Sequence, residues 1–246
     1  MPNTIDNREL MLDNSRWAQA VTERRNCEQS KSQPGMTEKT TSDSIIIVVD
    51  DDASVRGALK DLLESVGLKV ILFHSAAEFL ESTIPDASCC MVLDVRMPEM
   101  SGIKLQEELA KAEVQVPIVF ITGHGDIAMA VRAMKAGAVD FLAKPFCTQD
   151  LLDAVFAALG RDRARRTQEE SLTTLRERFS SLSVREKEVL SHVAAGRLNK
   201  QIAADLGVSE IMVKVHRANG MRKMHAKSVA ELVRMTDLLR ASHLLT

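Results

Sequence analysis

The chain of 246 residues, 27% charged and 45% hydrophobic, is long enough for one large domain or two ordinary ones, each with its own core. No apolar run approaches the ~20 residues that span a bilayer, and the polar N-terminus lacks the basic-then-apolar order of a secretion signal, so no membrane association and a cytoplasmic protein are expected. The net charge of −2 hides a split: residues 1–160 hold 15 Lys and Arg against 24 Asp and Glu, whereas residues 171–246 hold 13 against 7.

Residues 1–43 are polar, with only a weak helical stripe at Leu10, Trp17 and Val21, a composition that predicts a disordered N-terminal extension. Met36 stands nine residues before the first apolar run and is an alternative natural start, which would leave Trp17, the single tryptophan, outside the natural protein. From Ile45 onward, short apolar runs at 45–49, 69–73, 89–93, 118–121 and 139–142 alternate with stretches of helical period at 53–66, 76–81, 103–112, 127–136 and 148–159. Five such units predict a doubly wound parallel sheet over 44–160, with function gathered at the carboxyl ends of its strands.

Arg161 to Glu170 is charged and has no apolar stripe. It reads as a linker over 161–178, with a helical extension of the preceding segment as the alternative. Four short helices are expected beyond it, at 183–195, 200–206, 210–225 and 229–240, making an all-α domain over 179–246. Ser183 and Glu186 have capping-box spacing, and Gly196 and Gly207 supply stops. This basic tail has Phe179 as its only aromatic, so it lacks stacking platforms for single strands or RNA, and duplex DNA is the expected partner. Cys27, Cys89, Cys90 and Cys147 form no C-x-x-C pair and have no His cluster; reduced thiols used as small apolar side chains are expected rather than zinc or disulfides.

The strands end in chemistry. Asp50, Asp51 and Asp52 follow the first, Asp94 the third, Thr122 the fourth, and Lys144-Pro145 comes shortly after the fifth. Any one of these is ordinary as a loop end or helix cap. Together, carboxylates, a hydroxyl and a lysine on neighbouring strand ends are the parts of a Mg2+ and phosphoryl site, because hard Mg2+ prefers oxygen donors and a phosphoryl anion needs a fixed cation and donor.

Four stretches, Val48-Val-Asp50-Asp51-Asp52, Leu93-Asp94-Val-Arg96-Met-Pro98-Glu-Met-Ser-Gly102, Ile121-Thr122-Gly-His124-Gly and Asp140-Phe141-Leu-Ala-Lys144-Pro145-Phe146, resemble a response-regulator receiver domain of flavodoxin-like fold, in particular that of the FixJ-like subfamily. Leu182-Ser-Val-Arg-Glu186-Lys-Glu-Val-Leu190, Asn199-Lys200-Gln-Ile-Ala-Ala-Asp-Leu206 and Val213-Lys214-Val215-His216-Arg217-Ala218-Asn219 resemble the LuxR-type helix-turn-helix domain found after such receivers. The resemblance implies that Asp94 accepts a phosphoryl group from a sensor histidine kinase as an acyl-phosphate. It implies Mg2+ held by Asp51, Asp94 and the Arg96 carbonyl, with Asp50 acting through water. Lys144 and Thr122 would bind the phosphoryl oxygens, Phe141 would be the aromatic switch, and Lys144-Pro145 would be a cis junction. Phosphorylation would bias residues 127–142 toward a homodimer that binds two-fold promoter DNA and works with RNA polymerase.

In the third helix of the tail, Val213, His216, Gly220 and Met224 repeat at three and four residues and predict the core face. Lys214, Val215, Ala218 and Arg222 form the face expected in the major groove, while Asn199, Lys200, Arg217 and Lys223 are expected at the backbone and phosphates. Gly220 stands where the family usually has a bulky aliphatic. Helix propensity and an unfilled core position predict that Gly220→Ala stabilises this domain by about 1 kcal/mol. The alternative function from another class is a haloacid-dehalogenase-like phosphatase with Asp50 as nucleophile. It lacks a further acidic pair at a late strand end, where only Asp150 and Asp153 follow.

Overall fold

The computed structural model describes residues 44–123 and 127–241. The expected disorder of 1–43, the Met36 start, Cys27 and His124 lie outside the described residues. Strands β1 (Ile45–Val49), β2 (Lys69–Phe73), β3 (Cys89–Asp94), β4 (Ile118–Thr122) and β5 (Asp140–Ala143) form one parallel sheet in the order β2-β1-β3-β4-β5. Alternate strand residues face opposite layers, yet both layers are apolar, which is why the strands read as continuous hydrophobic runs. Ile46, Val48, Cys90, Val92, Val119 and Ile121 pack with Leu59 and Leu63 of α1 (Ala53–Ser65) and with Leu151, Val155 and Leu159 of α5 (Thr148–Ser180). Ile47, Val49, Met91, Leu93 and Phe120 pack with α2 (Ala76–Glu81), α3 (Gly102–Lys111) and α4 (Ile127–Lys135). The strand order reverses at β1 and β3, so the crevice at their carboxyl ends is the place where such a sheet holds a ligand.

Local chemistry fixes the ends. Asp52 caps α1 by accepting from the amides of Ser54 and Val55, and these two bonds hold its carboxyl below the usual carboxylate range. A Cβ at Gly102 would lie 2.2 Å from the Asp94 carbonyl oxygen, so only glycine lets α3 start this close to the end of β3. Cys89 and Cys90 are buried on opposite faces of the sheet, and burial pushes the Cys90 thiol far up, as expected for thiols used as apolar side chains. Cys147 departs from that expectation, since it is exposed.

Of the two readings of the charged stretch, the helical extension is the one seen: α5 runs without a break to Ser180. The charged stretch carries no proline, and its Arg, Ala, Gln and Glu residues are good helix formers. Arg165 and Glu169 pair one turn apart at 2.9 Å. The stripe that seems to stop at Leu159 continues in polar form: Asp162 is 0% exposed and accepts from the Cys89 amide at 3.0 Å, and Arg163 donates to the Ser44 hydroxyl at 2.8 Å. The chain divides into compact units at Ala164 and Arg165, within this helix.

The second unit comprises the end of α5 with α6 (Val184–Ala194), α7 (Asn199–Leu206), α8 (Glu210–Met224) and α9 (Val229–Ala241). Its core joins Leu175, Leu182, Val189, Leu190, Val193, Ile202, Val213, Met224, Leu232 and Leu239. The Ser183–Glu186 capping box forms with both bonds, and Gly196 and Gly207 take the left-handed conformation at helix ends. Gly220 requires a correction. It does lie on the buried face with Val213 and Met224, but a Cβ there would sit 2.8 Å from Leu190 Cδ1, 3.0 Å from Cγ and 3.3 Å from Cδ2. The position is already filled from α6 rather than unfilled, so Gly220→Ala gains its helix propensity only at the cost of displacing Leu190.

Candidate functional site

The three inner strand ends and the loop after β5 converge on one rim. Asp50 and Asp94 are 1% and 5% exposed, and Lys144 Nζ donates to both, at 2.7 Å to Asp50 Oδ2 and 2.9 Å to Asp94 Oδ1. The Lys144 amide donates to the Thr122 carbonyl at 2.7 Å, and the Lys144-Pro145 bond is cis, as the sequence led us to expect. The remaining carboxylate oxygens are also held: Asp50 Oδ1 accepts from the Asp52 amide at 2.9 Å and Asp94 Oδ2 from the Arg96 amide at 2.7 Å. Arg56 of α1, which sequence reasoning did not single out, donates to the Asp50 carbonyl at 2.7 Å.

Burial pushes the Asp94 carboxyl above the usual range, against the hydrogen bond and charge of Lys144, with the neighbouring Asp50 adding to the rise. For Lys144 burial acts downward, but its bonds to Asp50 and Asp94 outweigh it and leave the ammonium above its ordinary value. Two buried carboxylates therefore share one cation. That excess of negative charge and the all-oxygen donor set fit a hard divalent ion. Among the described residues no three His, Cys, Asp or Glu side chains already converge as a cage, so such an ion would depend on carbonyl and water oxygens for the rest of its shell. Asp51 is exposed beside the pair, and Asp52 is committed to capping α1. Thr122 is fully buried at the end of β4, and Phe141 on β5 is half-buried with its ring 6.2 Å from that of Phe120.

The phosphatase alternative finds no counterpart here. The further acidic pair it needs at a late strand end is missing, since Asp150 and Asp153 are exposed on α5, where Asp153 accepts from Gln149.

In the second unit, α7 and α8 are joined by Gly207, Val208 and Ser209, with Gly207 left-handed and Ser209 capping α8 through the Met212 amide. Lys200, Lys214, Val215, Ala218 and Arg222 are exposed, so the expected groove face is free of the core. Arg217 donates to Asn199 Oδ1 at 3.0 Å, tying the two helices together. Lys223 does not stand with the others: its ammonium donates to Glu186 Oε2 at 2.7 Å and to the Ser181 carbonyl at 3.2 Å, which makes it part of the α6 cap. Sequence reasoning passed over Ile211 and Met212, which are 72% and 44% exposed. The available signal was their spacing, with Ile211 four residues before Val215.

Comparison with known proteins matches residues 46–156 to the response regulator receiver domain and residues 180–236 to the bacterial regulatory proteins of the luxR family. The chain is 53% identical over 212 residues to nodulation protein W of Bradyrhizobium diazoefficiens, covering 86% of this chain and 93% of that one. It is 47% identical over 191 residues to the transcriptional regulatory protein FixJ of Azorhizobium caulinodans, covering 78% and 90%. Among solved structures it resembles the response regulator StyR with a TM-score of 0.73 and 50% identity, over 79% of this chain and 98% of that one.

Proposed function

The chain belongs to the response regulators that join a receiver domain to a LuxR-family DNA-binding domain, and we propose that Asp94 is the residue through which it is switched. Phosphorylation-dependent regulation of transcription is the role of this family, with a histidine kinase upstream and DNA downstream. The observation that carries the assignment is the position of Lys144, which bridges Asp94 and Asp50 at a buried rim.

An Asp94 carboxylate oxygen attacks the phosphorus of a phosphohistidine; the P–N bond breaks, an acyl-phosphate forms, and the histidine leaves with the bonding pair. The Lys144 ammonium, already between the carboxylates, holds the incoming phosphoryl oxygens. The Thr122 hydroxyl moves onto them, and Phe141 turns inward to fill the space this opens. Asp51, Asp94 and the Arg96 carbonyl would hold Mg2+, with Asp50 reaching it through water, and the ion would neutralise charge on the phosphoryl oxygens. Phosphorylation favours a receiver homodimer built on residues 127–142, which places two C-terminal domains on a two-fold promoter site for action with RNA polymerase. Residues 44–160 act as the receiver, 161–178 connect, and 179–246 bind DNA. The protein works in the cytoplasm by occupying DNA rather than by turning over a substrate.

The test is Mg2+-dependent labelling by acetyl phosphate followed by peptide mapping. Wild type carries label on Asp94, and Asp94→Asn carries none, because the amide lacks the nucleophilic charge. Label on Asp50 would overturn the assignment in favour of phosphatase-like chemistry.

A further inference from the structure

The N-terminal turn of α8 presents apolar side chains to water. Within residues 211–215 the side chain turned inward is Val213, 0% exposed, while Ile211, Met212 and Val215 are 72%, 44% and 46% exposed. Ile211, Val215, Ala218 and Arg222 follow one another at four, three and four residues, so they form a single stripe that is apolar for its first two turns and ends in a cation. Exposed Lys214 lies beside the stripe and exposed Lys200 stands on α7, so its surroundings match a polyanion in charge.

The chemistry of the first turn then decides what that polyanion offers it. Glu210 is repelled by phosphate and Ile211 and Met212 have no donor, while Ser209 accepts from the Met212 amide and keeps its own O–H for the backbone side of the turn. Neither Ile211 nor Met212 can hold the DNA backbone. The N-terminal residues of a recognition helix approach base edges, and the apolar group on a major-groove base edge is the C5-methyl of thymine. We propose that Ile211 and Met212 extend the reading face by one turn and select thymine through its methyl group, next to the base pair faced by Val215. This rests on the DNA-binding role of the domain and names part of its sequence preference.

The test uses the full chain loaded with acetyl phosphate and a duplex enriched by that chain from random sequence. Each thymine of the duplex is replaced in turn by deoxyuridine, which removes one methyl and leaves pairing intact. Wild type should lose about fourfold in affinity at one or two positions, the worth of burying one such group. Ile211→Ser, which alters an exposed side chain, should abolish the loss at one of those positions, and Ile211→Ser with Met212→Ser at any second one, while both variants still prefer the enriched duplex over random DNA. The inference falls if no uracil substitution matters although changes at other base pairs do, and in that case the DNA-binding reading stands. It falls equally if Ile211→Ser weakens enriched and random duplexes alike, or keeps full methyl sensitivity and loses only transcriptional activation, which would assign the patch to a protein partner. Failure to enrich any sequence would overturn the DNA-binding reading itself.

Discussion

Gly220 shows how one absent methyl can be a packing decision. Replacing a mid-helix glycine by alanine ordinarily gains about 1 kcal/mol. Here the added carbon meets three atoms of Leu190, a side chain itself 2% exposed. Because Cγ as well as both methyls is within 3.3 Å, turning Leu190 about its Cβ–Cγ bond does not clear the space, and the whole side chain must shift inside a packed core. Overpacking of this kind costs about 1–3 kcal/mol, which outweighs the propensity gain. Gly220→Ala should therefore lower the melting temperature of the C-terminal transition, and Gly220→Val should lower it further. Pairing Gly220→Ala with Leu190→Val should recover part of the loss. A higher melting temperature for Gly220→Ala alone would show that α6 can yield.

At the scale of elements, the start of α6 is tied to the last turn of α8. Lys223 and the Ser183 amide hold the Glu186 carboxyl below the usual range. Unfolded, that carboxyl returns to about 4.5, so its contribution is fully present above that pH and disappears as pH falls through the lower value of the folded state. Glu186→Gln should be less stable than wild type by about 1 kcal/mol near neutrality, and the gap should narrow in urea unfolding as pH falls below the ordinary glutamate value. A gap independent of pH would mean that shape, not charge, makes the cap. The strands and most helices could be read from the sequence because their cores repeat at regular spacing and their caps are local, as with Ser183 and Glu186. The rim at Asp50, Asp94 and Lys144 was readable because those residues stand at strand ends. What escaped depends on partners distant in sequence: Leu190 fills the space at Gly220, Glu186 claims Lys223, and the Cys89 amide explains why a buried acid stands in α5.

For the whole molecule, the cations gathered in its C-terminal part set the salt dependence expected of its DNA binding. The exposed cations Lys200, Lys214 and Arg222 and half-buried Arg217 lie on α7 and α8, and we propose them as the phosphate contacts of one C-terminal domain. About three to four such contacts give a plot of log affinity against log salt with a slope near −3 per domain. Lys200→Ala should reduce that slope by about one unit on every sequence. Lys223→Ala should leave it unchanged and lower stability instead, since its ammonium belongs to the cap. Titrations of residues 165–246 at several salt concentrations decide it; a slope unaffected by Lys200→Ala would remove that residue from the contact set.

The Asp162 carboxylate also sets where this protein can be divided. Shuffling of regulators by recombination needs a seam at which a receiver keeps everything its own fold uses. A seam at Gly160, where the apolar stripe ends, would strand the Cys89 amide and release Ser44 from Arg163. A seam after Ala164 carries both bonds with the sheet they serve. Chimeras of this receiver with foreign output domains should accordingly tolerate exchange from Arg165 onward and fail when the exchange begins four residues earlier, at Arg161.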